Sequence, residues 1–394
     1  MSAATAAPVV QTKGHIDPAA SFVPVQTRSE RLRSYEPAAF GAPTGREVNW
    51  KHTPVDRLGS LVTDRAGDAG AVGITVTGPL AAASLPIGTA PRGEVFTPED
   101  ITAAIAWQRS AEALWLSIPA NAELDETVVV DLRGAGAELV AHAHLVIEAG
   151  ANSRGTIVLR HAGSAQFAEN VEIIVRDGAS LTLVSVQEWE DDARHVSAHQ
   201  ARVGRDALLR HIVVSFGGGI VRVNPSVELA GTGAQGELYG LAFSDAGQHL
   251  ESQVYLFHKG ASTRGDVLYK GALQGESART VWIGDVLIGP DATGTDSYEA
   301  NRNLVLTEGA RADSIPNLEI ETGDIAGAGH ASATGRFDDE QLFYLQARGI
   351  AEDEARRLVV LGFLMEIVQK IGVDELEERL VARIEEELAA GVAR

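Results

Sequence analysis

Histidine and carboxylate side chains carry most of the metal-binding and proton-transfer chemistry available to this sequence, because it contains no cysteine. His142 and His144 alternate, so a strand would place both on one face, but no third ligand follows at a suitable spacing. We interpret them as polar outward positions. His195 and His199 have the i, i+4 spacing of a helical zinc motif, yet Val196 stands where that motif requires glutamate. The two pairs therefore argue against a zinc protease.

One further histidine, His330, lies among small residues within a polar segment, residues 296–350. A lone histidine is usually structural, while exposure on a platform of small residues favours a ligand or a proton-transfer group. The residues alone leave both interpretations open.

Carboxylate pairs offer a different chemistry, glycoside hydrolysis, which needs two acids about 5–10 Å apart in a sugar-binding cleft. The pairs considered are Asp338 with Asp339, and Glu251 with Asp266. Aromatic residues make up only 5% of the chain, so few sugar-stacking platforms are available. We expect a solvated acidic surface, and a carbohydrate-active β-solenoid enzyme stays the alternative.

Composition excludes several other classes. The chain has 33 basic and 54 acidic residues, a formal charge of −21, so its surface repels nucleic acid. Without cysteine it cannot form disulfides or thiolate metal sites by itself. No lysine follows a glycine, which excludes a phosphate-binding loop of the Gly-Lys-Ser/Thr type. We find no apolar run of membrane-spanning length and no signal-peptide pattern, and we expect a cytoplasmic protein.

The elements that would position these residues fall into four predicted regions. Residues 1–45 are expected to be a loosely ordered arm, and residues 46–118 a mixed, partly helical region. Within the latter, residues 98–107 are predicted to be a helix with Thr97 as its N-cap. Residues 119–337 contain short β-type runs separated by glycine-containing turns.

An internal repeat runs through this third region. Polar turns with glycine or aspartate close on the alanines 151, 179, 207, 234, 261, 292 and 310, at intervals of 28, 28, 27, 27, 31 and 18 residues. Strands repeating at such a period without intervening helices predict a β-solenoid. An antiparallel sandwich is the rival fold, although its turns usually recur every 8–12 residues.

Residues 338–394 change to a helical period and are predicted to form a small helical domain. Asp338 with Gln341 resembles a capping box, and two amphipathic helices follow at 352–371 and from about 374. So short a segment buries only part of its apolar stripes internally. The remainder must contact the end of the solenoid or another protein.

The polar segment closely resembles the SufB/SufD family of the SUF iron–sulfur cluster assembly machinery. The matching motifs are DSY at 296–298, NRNL at 301–304, SIPNLEI at 314–320, GRFD at 335–338, LFYL at 342–345, ARGI at 347–350 and, upstream, NWKHT at 49–53. Length and the upstream motif favour the SufD branch over SufB. The resemblance implies a right-handed parallel β-helix core, flanked by an N-terminal helical region and a C-terminal helical domain.

The resemblance also implies a non-enzymatic scaffold that pairs with its paralogue SufB and docks SufC, an ABC-type ATPase. The helix residues expected to face SufC are Leu342, Leu345, Leu358, Leu361, Leu364 and Met365. No cofactor is expected to be stably bound in isolation; iron or a cluster would bind transiently in the complex, and ATP with Mg only through SufC. A homodimer of the isolated chain is the alternative assembly.

A family histidine that contributes to the nascent cluster site matches His330 by resemblance. The family's cysteine two residues earlier is Ala328 here, and one extra residue precedes the shared Thr334. His330 is therefore the candidate iron or cluster ligand from this chain, and the thiolates are expected to come from SufB.

Overall fold

The computed structural model describes residues 31–336 and 339–392 and is dominated by a parallel β-solenoid. Before it, 3-10 helices lie at Pro37–Ala39, Val55–Arg57 and Gly59–Val62. Strands β1 (Val72–Thr77) and β2 (Ala83–Pro86) and helix α1 (Ile101–Arg109) follow. Both strands pair antiparallel with the first strands of the solenoid.

Fourteen further strands build the solenoid, and three helices follow it. The strands are β3 Glu112–Ile118, β4 Val128–Ala149, β5 Arg154–Val175, β6 Ser180–Trp189, β7 Arg194–Val203, β8 Leu208–Ser215, β9 Ile220–Leu229, β10 Gln235–Ser244, β11 His249–His258, β12 Arg264–Leu273, β13 Arg279–Ile288, β14 Thr295–Val305, β15 Arg311–Ile320 and β16 Ile325–Arg336. The helices are α2 Asp339–Ala347, α3 Glu352–Val368 and α4 Asp374–Val392.

The solenoid has two walls. From β6 onward the even-numbered strands stack in parallel as one wall and the odd-numbered strands as the other, while β4 and β5 each cross both walls. Arg154 pairs with Ser180, and Ser180 with Leu208, so one coil takes about 28 residues. The parallel solenoid predicted from the repeat is confirmed, with about eight turns, and the antiparallel sandwich is wrong.

The repeat is aligned differently from the prediction in four places. The buried small residues that stack at one edge are Ser153, Ala179, Ala207, Ala234, Thr263 and Thr295. Ala151 and Ala261 lie two residues before this column and Ala292 lies three before it, while Ala310 belongs to the opposite edge, next to Arg311. The irregular last intervals arose because serine and threonine replace alanine in some coils.

A left-handed residue precedes each member of this column. The positive φ angles belong to Asn152, Gly178, Asp206, Gly233, Ser262 and Gly294. A Cβ on Gly178 would overlap with the Asn152 side chain in the coil below. Glycine or a short polar residue is therefore required at the corner, both for its φ and for the closeness of the next coil.

The two walls are covered on their outer faces by different ends of the chain. The N-terminal segment packs Trp50, Leu58 and Ile105 on the odd-strand wall. Helices α3 and α4 pack on the even-strand wall through residues such as Leu364 and Leu380. The C-terminal helices therefore bury their main apolar faces against their own solenoid.

Helix α1 begins later than predicted. Its N-cap is Asp100, whose carboxylate accepts the amide N–H of Ala103 at 2.9 Å, so Thr97 as the cap is wrong. Asp100 also pairs with the buried Arg222 of β9, at 3.0 Å. The cap thereby fastens the N-terminal segment to the odd-strand wall. Parallel stacking already begins at β3, inside the region predicted as mixed.

Candidate functional site

The last coil leaves one end of the solenoid open. β15 pairs only with β13, and β16 only with β14, so within the described ranges each has a free edge. Side chains that would be buried between the walls of an inner coil are accessible here. Edge strands with unpaired N–H and C=O groups are natural sites for another chain to add.

His330 lies on β16 at this open end and points between the walls. It pairs in register with Glu299 of β14, and its Nδ1 is 3.8 Å from Glu299 Oε1. The His330 side chain is 46% exposed, whereas that of Glu299 is only 1% exposed. An accessible imidazole thus covers a buried carboxyl group.

Glu299 has no hydrogen-bond partner for either side-chain oxygen among the described residues. Burial, reinforced by the charge of Asp285, raises its pKa to about 8, although the nearby amide of Asn317 opposes the shift. The carboxyl group is therefore largely protonated at neutral pH. Gly284 makes room for it, since a Cβ there would overlap with Glu299 and Trp282.

The remaining inward positions at this end are polar or small. Ser332 and Ser314 join β16 to β15 through a 2.8 Å hydrogen bond between their hydroxyls. Behind them, Asn303 donates to Asn301 at 2.7 Å and to Thr334 at 3.2 Å. The open end thus offers an imidazole, a protonatable carboxyl group and hydroxyls, which are N and O ligands or proton carriers.

Ala328 shares the inward face with His330, because the two lie at alternate positions, i and i+2, of one strand. It packs against the apolar interior. A longer side chain at this position would project toward the same open end. The structure therefore brings together the two positions that the family resemblance singled out.

The other histidine pairs are placed differently. His142 and His144 face away from the solenoid interior, but His144 is fully buried beneath the N-terminal segment and bonds Glu172 at 3.3 Å. His195 and His199 lie on β7 and point into the interior, so no helical zinc motif forms.

Of the two suggested carboxylate pairs, the described one, Glu251 with Asp266, does not form a catalytic cleft. Glu251 and Asp266 lie on the outer faces of opposite walls. Glu251 is buried and bonded to Thr53 and Arg222. Asp338 lies outside the described residues.

The predicted partner-facing leucines divide into buried and accessible groups. Leu364 is fully buried against the even-strand wall, and Leu361 and Met365 are partly buried beside it. Leu358 is 40% exposed and Leu345 is half-buried, while the side chain of Leu342 lies outside the described set. The docking role itself stays a prediction.

Sequence reasoning missed two aromatic residues on α2. Phe343 is 72% exposed, and its neighbour Tyr344 is also exposed. The feature of the sequence that could have revealed them is two adjacent aromatic residues on a helix. Glu299 was missed as well, because only the strand register shows that it lies beneath His330.

Comparison with known proteins shows the family of the chain. Residues 132–363 match the family model described as SUF system FeS cluster assembly, SufBD core domain. An iron–sulfur cluster assembly SufBD family protein of Mycobacterium bovis is 47% identical over 369 residues, which cover 92% of this chain and 93% of the relative. A family member from Mycobacterium leprae is 46% identical over 369 residues, covering 92% of this chain and 94% of the relative.

The iron–sulfur cluster assembly protein SufD of Bacillus subtilis is 28% identical over 277 residues, covering 69% of this chain and 63% of that protein. None of the described helices is long and apolar enough to cross a membrane. The family is one of scaffold proteins, and a carbohydrate-active enzyme is not supported. By the family model and these relatives, the chain belongs to the SufBD family of iron–sulfur cluster assembly proteins.

Proposed function

We propose that this chain is a SufD-type scaffold subunit that supplies His330 and Glu299 to a nascent cluster site shared with SufB. The observation that carries the proposal is the exposed imidazole above an unbonded, buried carboxyl group at the open solenoid end. The chain would act in the cytoplasm and only within a complex. Iron or a cluster is its cargo rather than a resident cofactor.

The partner must supply the thiolates, because this chain has none. A paralogue with its own solenoid could pair with the free edges of β15 and β16 by adding strands. Exposed Tyr298 and Ile320 beside these edges offer apolar contact area. Imidazole and thiolate both suit iron, so a mixed set of ligands at the junction is chemically reasonable.

Glu299 gives the site an acid that changes state when a cation arrives. Its protonated form avoids an uncompensated buried charge in the free chain. An iron ion held by His330 would favour the carboxylate and release the proton. The pair can then ligate the ion or neutralise its charge.

We place SufC at the outer surface of the C-terminal helices. The accessible apolar residues there are Phe343, Tyr344 and Leu358. Helix α3 is fastened to the solenoid by Lys270, whose Nζ lies 2.5 Å from Glu366 Oε2 and donates to the Phe363 carbonyl at 2.7 Å. Movement of a docked ATPase would thus reach β12. ATP and Mg would bind only to SufC.

The central test is cluster formation by the SufB–SufC complex carrying His330→Ala in this subunit. We expect a lower cluster yield with unchanged complex assembly, measured by iron and sulfide content and by size-exclusion chromatography. His142→Ala, which alters a partly buried histidine far from the open end, is the matched control. An unchanged cluster yield in His330→Ala would remove this residue from the mechanism.

Partner docking is best tested with exposed residues. Deleting residues 338–394 would bare the apolar outer face of the even-strand wall, so loss of binding would be ambiguous. We expect Phe343→Glu with Leu358→Glu to weaken SufC co-purification and retain SufB. Ile320→Glu should do the reverse, so each variant controls the other. If mass measurement instead finds only homodimers in the presence of SufB, the heteromer is wrong.

A further inference from the structure

A second group of histidine and carboxylate side chains lies fully buried between the two walls of the solenoid, in the coils formed by β5 and β7. His161 and Glu169, both on β5, and His195 on β7 point inward from the two walls, and all three side chains are fully buried. His161 Nε2 is 3.3 and 3.2 Å from the two Glu169 oxygens. His195 Nε2 is 3.8 Å from Glu169 Oε2. Two imidazoles therefore converge on one carboxylate.

The orientation of His161 is fixed by its other nitrogen. Nδ1 lies 3.1 Å from the carbonyl oxygen of Val186, so Nδ1 carries a hydrogen and donates it. The lone pair of the neutral ring is then on Nε2, facing the carboxylate. Metal-binding histidines commonly donate their second N–H to a backbone carbonyl in this way. A proton or a metal cation must lie between Nε2 and the carboxylate.

His195 distinguishes the two possibilities. Within the part of the chain that the structure describes, neither of its ring nitrogens has a partner at hydrogen-bond geometry, although the ring is fully buried near the backbone of Phe167. Buried polar atoms in folded proteins are nearly always bonded. A proton on His161 would satisfy the pair with Glu169 but leave His195 unpartnered. A metal cation would give all three side chains a partner.

We propose that His161, Glu169 and His195 form a buried binding site for a divalent first-row transition metal. The candidate ligand atoms all lie within 4.8 Å of one another. Two ligands at about 2.0–2.1 Å from one ion lie about 2.8–3.4 Å apart at octahedral or tetrahedral angles. The His161–Glu169 separations already match this value, and a small movement of His195 completes the set. Two imidazoles with one carboxylate suit zinc or iron(II).

Neighbouring side chains support the arrangement. Ser197 donates to Glu169 at 2.8 Å and is itself 2.9 Å from His199 Nε2. His199 Nδ1 lies 2.8 Å from His211 Nε2, so the polar group continues into the next coil. These contacts orient the carboxylate without occupying the space between it and the two imidazoles.

The role assigned to the ion is structural. Its ligands join the even-strand half of β5 to β7 and the odd-strand half of β5, so it would tie one wall to the other. Because the site is sealed, the ion would be taken up as the coils close during folding. This inference is independent of the cluster site at the open end.

The test is to unfold the full chain in denaturant with a chelator and refold it with Zn²⁺, Co²⁺ or chelator alone. We expect about one tightly held ion per chain, retained through gel filtration with chelator. Co²⁺ should give visible d–d absorption, and the metal-refolded chain should melt at a higher temperature than the metal-free chain. Glu169→Gln should lose both the ion and the spectrum.

The matched control is His258→Gln, which alters a buried inward histidine bonded to Thr263 and Ser297 outside the cluster. It should retain the ion. If the wild-type chain holds no stoichiometric ion and melts identically with and without metal, the site is only an internal ion pair. Equal metal content and Co²⁺ spectra in the wild type and Glu169→Gln would also overturn the proposal.

Discussion

Two glutamate–histidine pairs occupy the same solenoid interior but differ in their protonation. Burial alone would raise the pKa of Glu169, but His161 and His195 lower it to about 2. Burial raises the pKa of Glu299 to about 8, with a further contribution from Asp285. Both carboxyl groups are almost completely buried. Burial therefore does not decide the charge; the available partners do.

The difference follows from position along the solenoid. Glu169 lies in an inner coil, where neighbouring strands supply two imidazoles and the hydroxyl of Ser197. Glu299 lies near the end, where the next strand supplies only His330 at 3.8 Å. Because no further coil of the described chain stacks on the terminal one, an interior side chain there lacks some of the hydrogen-bond and ionic partners that an inner coil would supply. Another molecule can supply them.

The largest effect should come from removing the charge of Glu169, the carboxylate buried in the inner coil. Glu169→Gln is expected to lower the free energy of unfolding by about 3–5 kcal/mol, since it breaks a buried charged network. Urea unfolding of the wild type, Glu169→Gln and Glu299→Gln measures the loss in the free energy of unfolding. Glu299→Gln should cost much less at neutral pH, because that group is already mostly uncharged; equal losses would contradict the comparison.

Glu299 and His330 at the open end of the solenoid, here called the open pair, should make the stability of the chain depend on pH. Between pH 4.5, the ordinary value for glutamate, and about 8, the folded chain holds a proton on Glu299 that the unfolded chain releases. The free energy of unfolding should therefore fall as pH rises through this range, by on the order of 4 kcal/mol from this group. The measurement is the difference between wild type and Glu299→Gln at several pH values. A constant difference would show that Glu299 is not shifted.

A steric change should disturb the open pair moderately. Gly284→Ala places a methyl group against Glu299 and the Trp282 ring, and we expect a loss of about 1–3 kcal/mol. Gly362→Ala is the matched control, because its Cβ meets nothing within 4 Å. Thermal unfolding of both variants checks this. Similar behaviour of the two would mean that the space around Glu299 is loose.

The smallest effect on stability is expected from His330. Its side chain is 46% exposed and bonds no described residue, so His330→Ala should change the free energy of unfolding by less than about 0.5 kcal/mol. Urea unfolding again measures it. A loss of several kcal/mol would make His330 a structural residue and separate it from the open pair.

The fold was predictable because the solenoid repeats. A period near 28 residues predicted parallel stacking of the coils. Ser153 and Thr263 occupy positions that are alanine in other coils, so the predicted alignment of those two coils was two residues too early. The C-terminal helices were predicted as amphipathic, but an apolar stripe does not say which surface covers it. Leu364 was therefore assigned to a partner, while the structure buries it against the even-strand wall.

The two polar sites were only partly predictable. His330 was found because its segment resembles a known family, but Glu299 required the register between β14 and β16. His161, Glu169 and His195 are separated along the chain and meet only when two walls close around the interior. No local pattern marks such a group, since inward polar residues look like outward ones until the register is known.

The column of left-handed corner residues has a consequence for how this architecture can vary in length. Each coil has one such corner, at Asn152, Gly178, Asp206 and their successors, so the coil is a unit that can be gained or lost whole. Each unit changes the axial length by about 4.8 Å, the spacing of neighbouring strands. The distance from the N-terminal covering to the open end is thus quantised. If a partner fits a chain with a given number of coils, the open end of a chain with one coil more or fewer would be displaced by a full strand spacing from that partner.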